Sequence, residues 1–273
     1  MPESTEHPPG TFCWVELMTS DAEAAKRFYG ELFGWDAQDD PVAEDTLYTM
    51  LLKDGRNVAA LYQRTAQQAK MGIPSSWSSY VSVSSAGEVV DRARQHGGQV
   101  ILEPMDVFDL GRMAVIQDPA GATVCAWEPL RTAGAHLKGE IATLCWNELM
   151  TPDPEAAGVF LSAVFGWQRH TAELGGMPYT TFEAAGQPAA GMVQIQKDWG
   201  RVPPHWLVYF AVADCDAAVE RAENLGGELT AGPYDAPGVG RFAILRDPQG
   251  AAFAVIRLQG EARRRGGAGE RAG

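Results

Sequence analysis

The sequence has 273 residues and a mass of 29.4 kDa, which is enough chain for two ordinary domains. Hydrophobic residues make up 45% and charged residues 21%, a composition typical of a packed protein and unlike that of a disordered one. The formal net charge of −13 argues against a nucleic-acid partner, and no apolar stretch approaches the roughly 18 residues that a membrane helix needs.

The first elements along the chain are a strand, a helix and a hairpin. Residues 12–18 alternate between two side-chain directions, which predicts a strand. Asp21 then precedes an apolar stripe that stops at Gly34, a pattern that predicts a helix capped at both ends. Two further strands, 47–53 and 57–62, follow and are joined by an Asp-Gly turn.

The same order then starts again. Residues 78–83 predict a strand, 88–96 a helix that ends at Gly97, and 111–117 and 122–127 two strands joined by an Asp-Pro-Ala-Gly turn. The repeating unit is therefore one strand, one helix and three strands, about 60 residues long and used four times.

A longer repeat divides the chain into two halves. The stretch Cys13–Thr19 recurs at 145–151, Phe33-Gly34-Trp35 recurs at 165–167, and Asp118-Pro119 recurs at 247–248. We therefore expect two homologous modules, 11–130 and 143–258, followed by a disordered tail at 259–273.

Alternation along the first strand predicts which side chains share a face. Trp14, Glu16 and Met18 are expected on one face, because residues i and i+2 of a strand point the same way. The other face is expected to pack under the helix, and it carries Cys13, Val15 and Leu17.

The helix-end sequence Phe28-Tyr29-Gly-Glu-Leu-Phe33-Gly34-Trp35 and the turn Asp118-Pro119-x-Gly121, both repeated, carry a resemblance to a known family. The chain resembles the vicinal oxygen chelate superfamily of glyoxalase I, bleomycin-resistance proteins and extradiol dioxygenases, and its layout is similar to that of tandem actinobacterial proteins of the CFP-30 type. The resemblance implies an α+β fold of four βαβββ units, whose curved mixed sheets form two cups.

The resemblance also places the metal ligands that the superfamily uses, which are His, Gln or Glu side chains in the cup. The corresponding positions here are Trp14 and Trp146, Cys125 and Ala254, Ser78 and Leu207, Ala60 or Leu61, and Gly191 or Met192. None of these residues is a carboxylate or an imidazole, so neither a metal nor another cofactor is expected. Metal-dependent lyase or dioxygenase activity would require relocated ligands.

Candidate site residues follow from the predicted cup faces. Glu16 and Glu148 are predicted as the catalytic acid or base, since burial raises the pKa of a lone carboxyl group. The alternative is that they are structural, paired with Arg112 and Arg241, which are also possible ligand contacts. The remaining predicted ligand-binding residues are Trp14, Met18, Tyr80, Trp127, Trp146, Met150, His205 and Tyr209.

Three classes of function remain open from the sequence. The first is a glyoxalase-like protein or enzyme that binds an aromatic or carbonyl metabolite without a metal, with proton transfer by glutamate. The second is a protein that sequesters an antibiotic or metabolite, and the third is a module whose cups are filled by its own tryptophans. The cysteines form no CxxC pair and the N-terminal residues form no secretory signal, so we expect a cytoplasmic monomer or homodimer, with a small molecule as its partner.

Overall fold

The computed structural model describes residues 6–43 and 46–259. The predicted tail therefore lies outside the described residues, except for Gln259.

The first module contains two units of the predicted order. The first unit consists of β1 (Phe12–Thr19), α1 (Ala22–Phe33), β2 (Asp36–Ala43), β3 (Thr46–Lys53) and β4 (Arg56–Gln63). A short helix, α2 (Ala66–Lys70), leads to the second unit, which consists of β5 (Ser76–Ser82), α3 (Ala86–Gln95), β6 (Gln99–Val107), β7 (Gly111–Gln117) and β8 (Thr123–Pro129).

The second module repeats this order. Its first unit consists of β9 (Leu144–Thr151), α4 (Pro154–Phe165), β10 (Gln168–Leu174), β11 (Met177–Ala184) and β12 (Gln187–Gln194). After a single 3₁₀ turn at Lys197–Trp199, its second unit consists of β13 (His205–Ala211), α5 (Cys215–Asn224), β14 (Glu228–Ala236), β15 (Gly240–Arg246) and β16 (Ala252–Leu258).

Each module forms one eight-stranded mixed sheet. The strand orders are β2-β3-β4-β1-β5-β8-β7-β6 and β10-β11-β12-β9-β13-β16-β15-β14. The two first strands of a module are antiparallel neighbours at the centre of the sheet, and each also pairs in parallel with the last strand of its own unit. The predicted fold of four βαβββ units in two tandem modules is therefore confirmed.

The predicted caps form at the first helix of each module. The Asp21 carboxylate accepts a hydrogen bond of 2.9 Å from the backbone N–H of Ala24, and Asp153 does the same for α4. Both helices end at a glycine with a φ of 72–73°, the left-handed conformation that a residue with a Cβ adopts only at a cost.

The helix-covered faces of the two sheets pack on each other and form the core. The first unit of the chain packs on the fourth, where the rings of Phe28 and Phe253 lie 6.1 Å apart. The second unit packs on the third, where Phe160 lies close to the backbone of Gly98. The opposite face of each sheet, here called cup 1 and cup 2, carries its own smaller hydrophobic cluster, and among the described residues neither cluster includes a residue of a helix.

One predicted face was wrong. Cys13 was expected under the helix with Val15 and Leu17, but its side chain belongs to the cup cluster with Tyr80 and Cys125. The register of β1 with β5 shifts between Phe12 and Trp14, and this bulge changes the side to which Cys13 points.

No helix among the described residues is long and apolar enough to span a membrane.

Candidate functional site

A single carboxylate on β1 lies at the centre of cup 1 and is held by two tyrosines. The hydroxyl of Tyr48, on β3, donates to Glu16 Oε2 at 2.6 Å, and the hydroxyl of Tyr80, on β5, donates to Oε1 at 3.0 Å. The Trp14 indole N–H donates in turn to the Tyr48 oxygen at 3.3 Å. Strand β5 pairs directly with β1, and β3 lies on the other side of β1 beyond β4, so alternation along three strands of one sheet brings the four side chains together on one face.

Cup 2 contains the same arrangement. The Tyr209 hydroxyl donates to Glu148 Oε1 at 2.9 Å, and the Tyr179 hydroxyl is also hydrogen-bonded to this carboxylate. The Trp146 N–H donates to the Tyr179 oxygen at 3.0 Å. A cluster of indole, two phenols and carboxylate is thus built twice from residues in matching positions.

Burial sets the protonation of this cluster. Loss of water is the largest effect on Glu16 and Glu148 and raises the pKa of each, while the phenol hydrogen bonds lower it. Burial first, and the nearby carboxylate second, raise the pKa of Tyr80 and Tyr209 well above the ordinary value. The phenols therefore remain protonated donors at neutral pH, and the carboxyl group is the member that titrates.

The other predicted cup residues lie on the expected faces. Met18 and Met150 are buried beside the glutamates, two residues further along β1 and β9. Trp127 belongs to the cup 1 cluster, and its indole N–H donates to the carbonyl of Thr132 at 2.8 Å.

His205 lies on the cup face of β13, opposite Met150. Its Nδ1 is 2.8 Å from the Pro203 carbonyl, and burial lowers its pKa, so the ring is neutral near pH 7. No hydrogen bond connects it to Glu148 among the described contacts.

The alternative pairing of the glutamates with arginines does not form. Arg112 and Arg241 share a face with Ala114 and Ala243, which pack under the helices, so the sheet separates them from the cups. Arg112 pairs with Asp106, while Arg241 pairs with aspartates on β14 and at the start of α5. Strand parity, applied to β7 and β15, would have excluded both arginines from the cups.

Sequence reasoning missed the tyrosines of the third strands, Tyr48 and Tyr179. They recur at equivalent places in the two modules, and that repetition was the available signal. Cup 1 contains a third phenol, Tyr62 on β4, whose pKa is raised by burial first and by the Glu16 carboxylate second.

A hollow of about 560 Å³ lies outside the cups, against the first turn of α4. On α4, Gly158 stands at the position of Lys26 on α1, whose amine pairs with Asp39 in the first module. Charged side chains that line this hollow pair with each other, as Arg169 does with Glu155, and the hollow therefore gives no evidence of a ligand site.

Comparison with known proteins agrees with this geometry. A family model described as the Glyoxalase/Bleomycin resistance protein/Dioxygenase superfamily matches residues 11–126, and a glyoxalase-like domain model matches 144–256. CFP32 of Mycobacterium tuberculosis, which is named as a glyoxylase by inference, is 42% identical to this chain. The match covers 94% of this chain and 98% of CFP32.

The chain belongs to the glyoxalase/bleomycin resistance/dioxygenase superfamily. A further relative, the anthracycline biosynthesis protein DnrV of Streptomyces peucetius, is 38% identical over 93% of this chain and 96% of its own. Two solved structures share the fold: a Mn(II)-bound glyoxalase from Novosphingobium aromaticivorans (TM-score 0.64, 16% identity, 92% and 83% coverage) and the 2,3-dioxygenase LapB from Pseudomonas sp. KL28 (TM-score 0.62, 10% identity, 92% and 93% coverage).

The side chains of this superfamily member do not fit a chelated metal. A catalytic divalent ion needs about three protein ligands of imidazole, carboxylate or thiolate type. Within residues 6–43 and 46–259 no three His, Cys, Asp or Glu side chains are grouped for this purpose. The one carboxylate in each cup is already bound by phenols, and burial raises the pKa of the Cys125 thiol, which keeps it protonated.

Proposed function

We propose that this glyoxalase-superfamily protein binds a small aromatic or carbonyl metabolite in its cups and moves a proton with a glutamate, without a chelated metal. The observation that carries the proposal is the recurrence, in both cups, of one buried carboxylate held by two phenols. A lone buried acid is costly, and repeating it with the same donors is difficult to explain as packing alone.

Glu16 and its two tyrosines have different roles in the proposed proton transfer. Each oxygen of Glu16 accepts one phenol hydrogen bond and keeps a further lone pair for a ligand. The ionised carboxylate takes a proton from a carbon next to the ligand's carbonyl, which leaves an enolate, and returns the proton to the same carbon, which restores the carbonyl. Tyr48 and Tyr80 stay protonated throughout and hold the carboxylate in one orientation.

The relatives support the choice of ligand class. DnrV is named for anthracycline biosynthesis, and anthracyclines are planar, fused aromatic compounds that carry carbonyl and hydroxyl groups. Cup walls of indole, phenol and thioether groups suit ligands of this kind.

The experiment measures deuterium exchange at the methyl group of methylglyoxal in D₂O by NMR, with EDTA present. We expect wild-type protein to accelerate exchange, Glu16→Gln together with Glu148→Gln to abolish it, and Asp106→Asn, a surface control, to leave it unchanged. The rate should rise with pH through the raised pKa of the glutamate, because the base form is needed. Exchange that survives both Gln substitutions would exclude glutamate as the base.

Sequestration without turnover is the second candidate, because both oxygens of Glu16 already have hydrogen-bond donors and the cluster is complete without a reaction. It predicts that native mass spectrometry detects bound ligand while wild-type protein leaves methylglyoxal exchange at the background rate. Binding should then depend on Trp14 and Trp146 more than on Glu16.

A further inference from the structure

The two cups differ in how far solvent reaches the acid. Glu16 is partly exposed, whereas Glu148 is buried, with a relative exposure of 8%. A general base must come within hydrogen-bond reach of the proton that it removes, so a ligand needs access to the carboxylate. Cup 1 therefore presents its acid to a ligand, and cup 2 encloses the equivalent acid.

The difference begins at the position directly across from the acid on the next strand. In cup 1, Ser78 of β5 is the register partner of Glu16. In cup 2, Leu207 of β13 is the register partner of Glu148, and this leucine is fully buried. Partners in an antiparallel pair point to the same face, with Cβ atoms about 4.5–5.5 Å apart. The leucine therefore fills space beside Glu148 that the smaller serine leaves open beside Glu16.

Ser78 also brings a hydroxyl group that the fold does not use. Its side chain is partly exposed, and among the described residues none is hydrogen-bonded to its hydroxyl. The next serine of the strand differs, because Ser79 points to the opposite face and donates to the Asn147 side chain at 2.6 Å. The Ser78 hydroxyl is therefore available to donate a hydrogen bond to a ligand beside Glu16.

A second hydroxyl lies on the strand at the other side of β1. Tyr62 of β4 pairs with Met18, two residues beyond Glu16, and its side chain is partly exposed. Burial first and the Glu16 carboxylate second raise the pKa of this phenol, so it keeps its proton at neutral pH. Val193 occupies this position in cup 2 and is buried. Cup 1 therefore has hydroxyl groups at two positions where cup 2 has aliphatic side chains.

The histidine of cup 2 does not take the place of Ser78. His205 is the register partner of Met150, which lies two residues beyond Glu148. Its Nδ1 is 2.8 Å from the Pro203 carbonyl. Cup 2 therefore has the acid and its phenols but no polar group directly across from the acid.

We infer that cup 1, and not cup 2, performs the proposed proton transfer, and that the Ser78 hydroxyl donates to the ligand's carbonyl oxygen while Glu16 removes a proton from the adjacent carbon. The inference rests on the proposed function, and it adds the cup, the ligand class and a second catalytic residue. The ligand is a small carbonyl compound with a hydrogen on the carbon next to the carbonyl.

The role of Ser78 follows from where charge develops. When the proton passes to Glu16, negative charge builds up on the carbonyl oxygen, and a hydroxyl that donates to this oxygen stabilises the enolate. When Glu16 returns the proton to the carbon, the carbonyl is restored. Ser78 keeps its own proton throughout.

The test follows deuterium exchange of methylglyoxal in D₂O by NMR over a range of methylglyoxal concentrations, which separates kcat from KM. We expect Ser78→Ala to lower kcat about tenfold or more with little change in KM, because the hydroxyl acts on charge that is present mainly in the transition state. Ser76→Ala is the matched control and should change neither constant, since it removes a hydroxyl from the same face of β5, opposite Met18. Glu16→Gln alone should reduce exchange to the background rate, and circular dichroism melts verify that each variant folds.

The outcomes separate this inference from the proposed function. Exchange that survives Glu16→Gln but is lost when Glu148→Gln is added would overturn the choice of cup. An unchanged kcat in Ser78→Ala, or an equal loss in Ser76→Ala, would overturn the role of Ser78. In each of these cases glutamate remains the base and the proposed function stands. If wild-type protein does not accelerate exchange, both the inference and the proposed function are wrong.

Discussion

Tyr29 is the residue whose loss tests the packing of the two modules most sharply. Its hydroxyl accepts from the Trp77 N–H at 3.0 Å and donates to Asp247 Oδ2 at 3.0 Å, and all three side chains are buried. Tyr29→Phe therefore removes a hydrogen bond to a carboxylate, worth about 1.5–3 kcal/mol, and strands an indole N–H, at about 1–3 kcal/mol. Because phenylalanine has no hydroxyl that must be desolvated on folding, part of this loss is offset, and we expect a net destabilisation of about 2–4 kcal/mol.

Urea denaturation measures this change, which should appear as a lower midpoint with an unchanged slope. A double-mutant cycle with Asp247→Asn should show strong coupling, because the two groups are in contact.

Asp118→Asn provides the matched control. Asp118 occupies the equivalent turn of the first module, where Leu161 replaces the tyrosine and Oδ2 has no hydrogen-bond partner among the described residues. Its effect should simply add to that of Tyr29→Phe. A loss below about 0.5 kcal/mol for Tyr29→Phe, or equal coupling to both aspartates, would refute this reasoning.

Three further predictions concern cup 2, a buried acid and the N-terminal segment. Gly191→Ala should shift the indole–phenol pair of cup 2 from its present position, because the new Cβ would lie 1.9 Å from the Tyr179 hydroxyl, whereas Ala60→Gly at the matching place in cup 1 should leave the Trp14–Tyr48 pair in place; crystal structures of both variants check this. Burial raises the pKa of Asp118, so the ionised form of this carboxyl group destabilises the fold. The free energy of unfolding should therefore fall as pH rises from the ordinary carboxyl range through the raised pKa. In Asp118→Asn, calorimetry should show a flatter dependence of stability on pH. Burial lowers the pKa of His7, so protonation of the ring favours its exposure to water. Acidification below about pH 6.5 should therefore detach residues 6–10 from the rest of the protein. Unchanged hydrogen-exchange protection of these residues at pH 5 would contradict this.

The sequence by itself determined the repeat, the helix ends and most of the strand faces. These features depend on short-range chemistry: Asp21, two residues after the repeated stretch Cys13–Thr19, caps a helix, Gly34 ends it, and alternation assigns Trp14 and Glu16 to one face. The carboxylate at the centre of each cup followed from the same alternation.

Only the tertiary structure decided what surrounds that carboxylate. Tyr48 is 32 residues from Glu16 and Tyr80 is 64, and their hydroxyls meet it because β3, β1 and β5 lie in one sheet in a particular register. A bulge before Trp14 moved Cys13 into the cup. Strand order and register set these distances, and they depend on the packing of the whole sheet, which no local pattern of residues encodes.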